Sequence, residues 1–152
     1  MYEHILIPTD GSDTANVAVE HAVDLAAKYG AQLHALYVVD IDAVSFGLGT
    51  EQVDRITQGN FGEMTELQEK AERATGTVVS TAAEHDVDVH EEVRVGTPHK
   101  VIADYAEDNE VDVIVMGSHG RSGVRRALLG SVTERVLRST HIPVFVVDER
   151  RE

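Results

Sequence analysis

The sequence predicts an α/β fold: a doubly wound parallel sheet with helices on both faces. Three observations predict it. Short apolar runs closed by turn residues alternate with longer stretches whose apolar residues recur every three or four positions. The elements follow the order β-α-β-α-β-α-β-α-β, which right-handed crossovers turn into a parallel sheet covered on both sides. The 152 residues suit one full hydrophobic core, with no internal repeat, linker or low-complexity stretch, so 1–152 reads as a single domain.

The first strand is the apolar run HILI at 4–7, ending at the turn residues PTDGSD. Ser12 or Asp13 can cap the helix that follows. Ala15, Ala18, Val19, Ala22, Ala26 and Tyr29 form its inner stripe, and Gly30 closes it. QLHALYVV at 32–39 is the second strand, and 40–50 a loop. A stripe of Met64, Leu67, Ala71, Ala74 and Val78 predicts a helix over 62–85 that packs on the sheet. DVHEEVRV at 88–95 alternates apolar with polar residues, as a half-buried edge strand does. Thr97-Pro98 opens the next helix, threonine as cap and proline at the first position, with Val101, Ile102, Tyr105 and Ala106 facing inward. VDVIVM at 111–116 is a β-branched strand buried on both faces. Val132, Val136 and Leu137 mark the last helix, and IPVFVV at 142–147 the last strand.

The net charge of −14 opposes binding to nucleic acid or an anionic membrane, since both repel an acidic surface. Two readings of that charge fit equally: a solvated surface that resists aggregation, or adaptation to high salt (a halophilic protein), where screening removes self-repulsion. The absence of cysteine excludes disulfides and thiolate metal sites. The opening residues lack a signal-peptide pattern and no apolar run approaches membrane-spanning length, so a cytoplasmic protein is expected. Against the acidic average, Arg121, Arg125, Arg126, Arg135 and Arg138 lie within 18 residues, an arrangement suited to an anion. Solvation accounts for at least one of Arg125 and Arg126.

Doubly wound sheets bind ligands beyond the carboxyl ends of their strands, where strand order reverses. Pro8-Thr9-Asp10 follows the first strand and Gly117-Ser118-His119-Gly120 the fourth; if these strands are neighbours, both segments face one crevice. The second continues as GSHGRSGVRRALLGSVTE, with glycines that let backbone N–H groups approach a ligand. Ser131 and Glu134 have capping-box spacing, and the amides of Gly130, Ser131 and Val132 are candidate donors to phosphate at a helix N-terminus. Charge-assisted hydrogen bonds contribute roughly 1.5–3 kcal/mol each. Three or four, with a buried base, reach the roughly 8 kcal/mol of micromolar binding. A glycine-rich turn before a capped helix can equally be only a turn.

Gly117-x-x-Gly120, nine residues, then Gly130-Ser131 resembles the ATP-binding signature of the universal stress protein family. The likeness extends over ILIPTDGS, VGTPHKVI, VIVMGSHG, LLGSVTERV and PVFVV. It implies a Rossmann-like five-stranded sheet of order 3-2-1-4-5 with ATP in the crevice. It implies that Pro8, Thr9 and Asp10 lie near the adenosine and that Val38 contacts adenine, with Met116 and Gly117 nearby. His119 and Gly120 would line the phosphate path, and Gly130, Ser131 and Val132 would hold the terminal phosphates. Arg121 is added on charge alone. It also implies a homodimer through the last strand, 142–147.

Asp10 can bind ribose, help hold Mg²⁺ or Mn²⁺ on the phosphates, or serve only as a helix-start aspartate. His4, His21, His34, His85, His90, His99 and His141 read as surface or packing residues, without zinc-site spacing. Catalysis finds little support: there is no Walker lysine loop, no serine elbow and no dedicated base for water. The expected function is a nucleotide-responsive stress regulator or protective protein. The alternatives are a slow Mg-dependent ATPase or phosphotransfer enzyme, and a nucleotide-independent chaperone-like dimer.

Overall fold

The computed structural model describes residues 1–41, 65–119 and 129–148. Five strands and four helices lie within them: β1 (His4–Pro8), α1 (Asp13–Tyr29), β2 (Gln32–Asp40), α2 (Thr65–Ala83), β3 (Val89–Gly96), α3 (Pro98–Asp108), β4 (Val113–Gly117), α4 (Ser131–Ser139) and β5 (Val144–Val147). All the strand pairs are parallel, and the sheet order is β3-β2-β1-β4-β5, as expected.

The two-residue period of a strand divides the core between the faces. Ile5 and Ile7 of β1 join Leu33, Ala35, Val113 and Val115 beneath α1 and α2. Leu6 points the other way and joins Leu36, Ile114 and Met116 beneath α3 and α4. Ile5, Leu6 and Ile7 are all fully buried, because β1 is paired on both edges and covered on both faces.

Local chemistry sets the ends of the elements. The Ser12 hydroxyl accepts from the Ala15 N–H at 3.2 Å and caps α1. Gly30 ends that helix at φ 65°, the left-handed conformation that a Cβ disfavours. The Asp112 carboxylate accepts from the N–H groups of Glu3 (2.7 Å) and His4 (3.0 Å), tying the start of β4 to the start of β1. Those bonds, His4's first, hold its carboxyl below the usual range.

Several expectations need correction. Tyr29 is half exposed and stacks edge-on against Tyr2, so the inner stripe of α1 ends at Ala26. Thr97 caps α3 through its backbone alone: its carbonyl accepts from Lys100 and Val101, and its side chain makes no cap bond. Leu137 is exposed, while Val136 carries the buried face of α4. β4 and β5 begin two residues later than the apolar runs suggest, and β5 enters the ladder through the Pro143 carbonyl, which accepts from Ile114. The expected loop at 40–50 and the start of the 62–85 helix fall largely outside the described residues.

No atom lies within 4 Å of a Cβ built on Gly30, so Gly30→Ala tests backbone conformation alone. It is expected to lower stability by about 1 kcal/mol with an unchanged denaturant m-value, measured by urea unfolding.

Candidate functional site

β1 and β4 are neighbours, with Ile5 opposite Val113 and Leu6 opposite Ile114. The chain winds outward from β1 through β2 to β3, then returns to the other side of β1 as β4. The carboxyl ends of β1 and β4 therefore flank the point where strand order reverses.

On the β1 side, the Thr9 N–H donates to Leu36 O at 2.9 Å and extends the β1–β2 ladder. The Thr9 hydroxyl accepts from Gly11 N–H at 3.2 Å, and Asp10 Oδ1 accepts from Ser12 N–H at 2.9 Å. Both side chains thus shape the turn into α1. Pro8 and Thr9 are buried, and Asp10 is half-buried. Val38 and Met116 belong to one apolar cluster on the α3–α4 face of the sheet.

On the β4 side, Ser118 is the hub. Its N–H donates to Val147 O (2.7 Å), and its carbonyl accepts from Gly130 N–H (2.7 Å). Its hydroxyl donates to Asp148 Oδ1 (3.3 Å) and lies 3.1 Å from His119 Nδ1. Since that hydroxyl donates to the carboxylate, it accepts from His119 Nδ1–H. His119 Nε2 in turn lies 3.2 Å from Thr14 Oγ1, and in the neutral ring it accepts from that hydroxyl. The chain Thr14–His119–Ser118–Asp148 braces α1, β4 and the end of β5 together. Thr133 adds a bond from its hydroxyl to Gly117 O at 2.9 Å. Both ring nitrogens of His119 are engaged within the protein, so its imidazole acts as a brace.

The start of α4 differs from the expected capping box. Gly130 is the N-cap, without a side-chain bond, and Ser131 is the first helical residue. Glu134 instead pairs with Arg138 at 2.9 Å on the exposed face. The Gly130 N–H, one of three candidate phosphate donors, is already bonded to Ser118 O. Among the described residues, nothing accepts from the N–H groups of Ser131 and Val132, the orphan donors of the first helical turn. Ser131 is exposed and Val132 half-buried.

Gly117 and Gly130 are explained by contacts within the protein. A Cβ on Gly130 would lie 2.9 Å from His119 Cα, and one on Gly117 would lie 2.8 Å from Thr14 Cγ2. Gly120 and Arg121 lie outside the described residues, as do Arg125 and Arg126. Among the described residues there is no group of three or more His, Asp or Glu able to hold a metal ion. Sequence reasoning missed Thr14, Ser118, Thr133 and Asp148. Ser118 sat within the quoted GSHG segment, and the other three carried no spacing signal.

The sequence model of the universal stress protein family matches residues 1–148. Universal stress protein MJ0531 of Methanocaldococcus jannaschii is 39% identical, spanning 100% of this chain and 85% of its own length. Universal stress protein MJ0577 of the same archaeon is 33% identical, spanning 99% and 97%. A solved structure of MJ0577 matches with a TM-score of 0.80 at 32% identity, covering 100% of this chain and 99% of its own. A universal stress protein solved in complex with cAMP matches with a TM-score of 0.66 at 23% identity over 97% of both chains, a likeness of fold.

The Gly117–Thr14 contact is testable by a double-mutant cycle. Gly117→Ala should cost about 1–3 kcal/mol through overpacking. Thr14→Ser removes the opposing methyl and keeps the hydroxyl beside His119, so it should recover part of that loss. Strictly additive losses in urea unfolding would place the strain elsewhere.

Proposed function

The chain belongs to the universal stress protein family, and we propose that it is a single-domain cytoplasmic member that binds ATP at the β1–β4 crevice and reports occupancy to partners. The observation that carries this is the first turn of α4. The amides of Ser131 and Val132, from which nothing among the described residues accepts, lie at the reversal point of the sheet, where helix polarity favours an anion. The apolar cluster holding Val38 and Met116 offers the adenine a nonpolar seat on the same side of the sheet as α4. The adenine-nucleotide class is supported by the relative solved with cAMP.

Within this reading, Pro8, Thr9 and Asp10 border the adenosine, and Gly117 keeps the rim narrow. His119 positions the floor through Thr14 and Ser118. Gly130 sets the cap, while Ser131 and Val132 donate to phosphate. Mg²⁺ or Mn²⁺ would neutralise phosphate charge, with Asp10 as the chain's carboxylate toward it. In this reading the site binds ATP without turning it over. Among the described residues, no helix is long and apolar enough to cross a membrane.

The second part of the proposal is a homodimer. β5 is an edge strand, and its Phe145 is 47% exposed. At the other edge, β3 presents His90, Glu91, Glu92 and Arg94, which discourage edge pairing. β5 has no such protection and fits a second copy of itself across a two-fold axis.

Proline is well tolerated at a first helical position, and Gly130 already has the extended conformation (φ −64°, ψ 153°) that a following proline requires. Ser131→Pro therefore deletes one donor while sparing the helix. Calorimetry with Mg-ATP should show micromolar binding by the parent protein and a loss of about tenfold or more in Ser131→Pro, with Ser131→Ala as the hydroxyl control. Unchanged affinity in Ser131→Pro would remove the helix terminus from the site. A kcat near about 1 s⁻¹ in the same samples would make the protein an enzyme instead.

For the dimer, Phe145→Asp should shift sedimentation from dimer to monomer, because a charge on each protomer would be buried at the shared edge.

A further inference from the structure

A second polar cluster lies away from the crevice, on the α3–α4 face of the sheet. Strand register builds it: Leu6 lies opposite His34, and His34 opposite His90. His4 shares the face of Leu6 by the two-residue period, and Glu92 and Arg94 share that of His90. His34 is buried beneath α3, with 6% of its surface exposed.

Both ring nitrogens of His34 are engaged. Nδ1 lies 2.8 Å from the Tyr105 hydroxyl of α3, and Nε2 lies 3.1 Å from His4 Nδ1. The His90 ring lies 5.8 Å away, centroid to centroid. Glu92 accepts from Arg94 at 2.9 Å and pairs with His90 at 3.0 Å, and the Arg94 guanidinium sits over the Tyr105 ring. Among the described residues, the groups facing His34 are therefore His4 from β1, His90, Glu92 and Arg94 from β3, and Tyr105 from α3. The one carboxylate among them is already engaged by both Arg94 and His90.

Two ring nitrogens 3.1 Å apart hold one hydrogen between them. Either His34 donates to His4 or His4 donates to His34. If both rings become imidazolium, two N–H groups meet head to head and the contact must open. We infer that the His4–His34 contact, tied to α3 by Tyr105, is a proton-operated latch that holds α3 on the sheet and releases it in acid.

Proton affinity agrees in sign. Burial first, then the charges of His4 and His90, lower the pKa of His34 to about 4, with Glu92 opposing. An unfolded histidine titrates near 6.5, so the unfolded chain binds this proton first. The contribution to stability is full above about pH 6.5 and is lost as pH falls toward about 4.

Hydrogen exchange resolved by element tests the latch, after correction for intrinsic pH dependence. Between about pH 7 and pH 4.5, α3 amides should lose at least about tenfold more protection than α1 amides. His4→Gln, which removes the opposing N–H but leaves His34 buried, should cut that difference by about half or more, with burial sustaining the rest. Parallel loss in α1 and α3, or a full parental response in His4→Gln, would overturn the latch. Should His4→Gln fail to fold, histidine NMR titration of the parent protein decides. If His4 and His34 both become fully charged while α3 stays protected, the latch is wrong; if the second proton arrives only as α3 protection is lost, it stands.

Discussion

The pairing of β1 with β4 is the constraint on which the rest of this structure depends. Right-handed crossovers carry β1 through α1 and α2 to β3, laying both helices on one face of the sheet. The return to the other side of β1 reverses the direction of travel, so the same handedness lays α3 and α4 on the opposite face. The helices that follow β1 and β4 then lie on opposite faces of the sheet, the arrangement in which doubly wound sheets carry a crevice beyond their strand ends. Asp112 anchors the far end of the same pair by accepting from the amides of Glu3 and His4. A β4 at any other sheet position would separate Thr9 and Asp10 from Gly117 and His119.

Most of this frame was legible in the sequence, because each element carries its own pattern. β1 reads as buried from four consecutive residues, and β3 reads as an edge from its alternation. What was illegible is what depends on partners distant in sequence. Ser131 and Glu134 have the right spacing for a capping box, yet the Ser118 carbonyl draws in the Gly130 N–H and makes Gly130 the cap. The box thereby loses its register by one residue. Tyr29 falls on the helical stripe of α1, but the sheet ends before it can be covered.

The candidate site divides in the same way. Its location follows from two strand ends and a glycine pattern, all visible in one dimension. Its internal bracing does not, since Thr14, His119, Ser118 and Asp148 span most of the chain before they meet. The glycines show how one signal can carry another cause. Read alone, Gly117 and Gly130 suggest close approach of a ligand. In the fold, Thr14 and His119 already occupy the space that a side chain would need. The three histidines at 4, 34 and 90 are equally silent in sequence and become a cluster only through strand register.

The bond from Gly130 N–H to the Ser118 carbonyl, at 2.7 Å, has a consequence for how such chains diversify. It sets the separation of Ser118 and Gly130 independently of the residues between them. Once ends are joined, doubling the number of residues that connect them costs only about 0.6 kcal/mol. Relatives of this chain can therefore differ in length over 120–128 at little cost to the fold, and the burden of such a change falls on whatever that segment itself does.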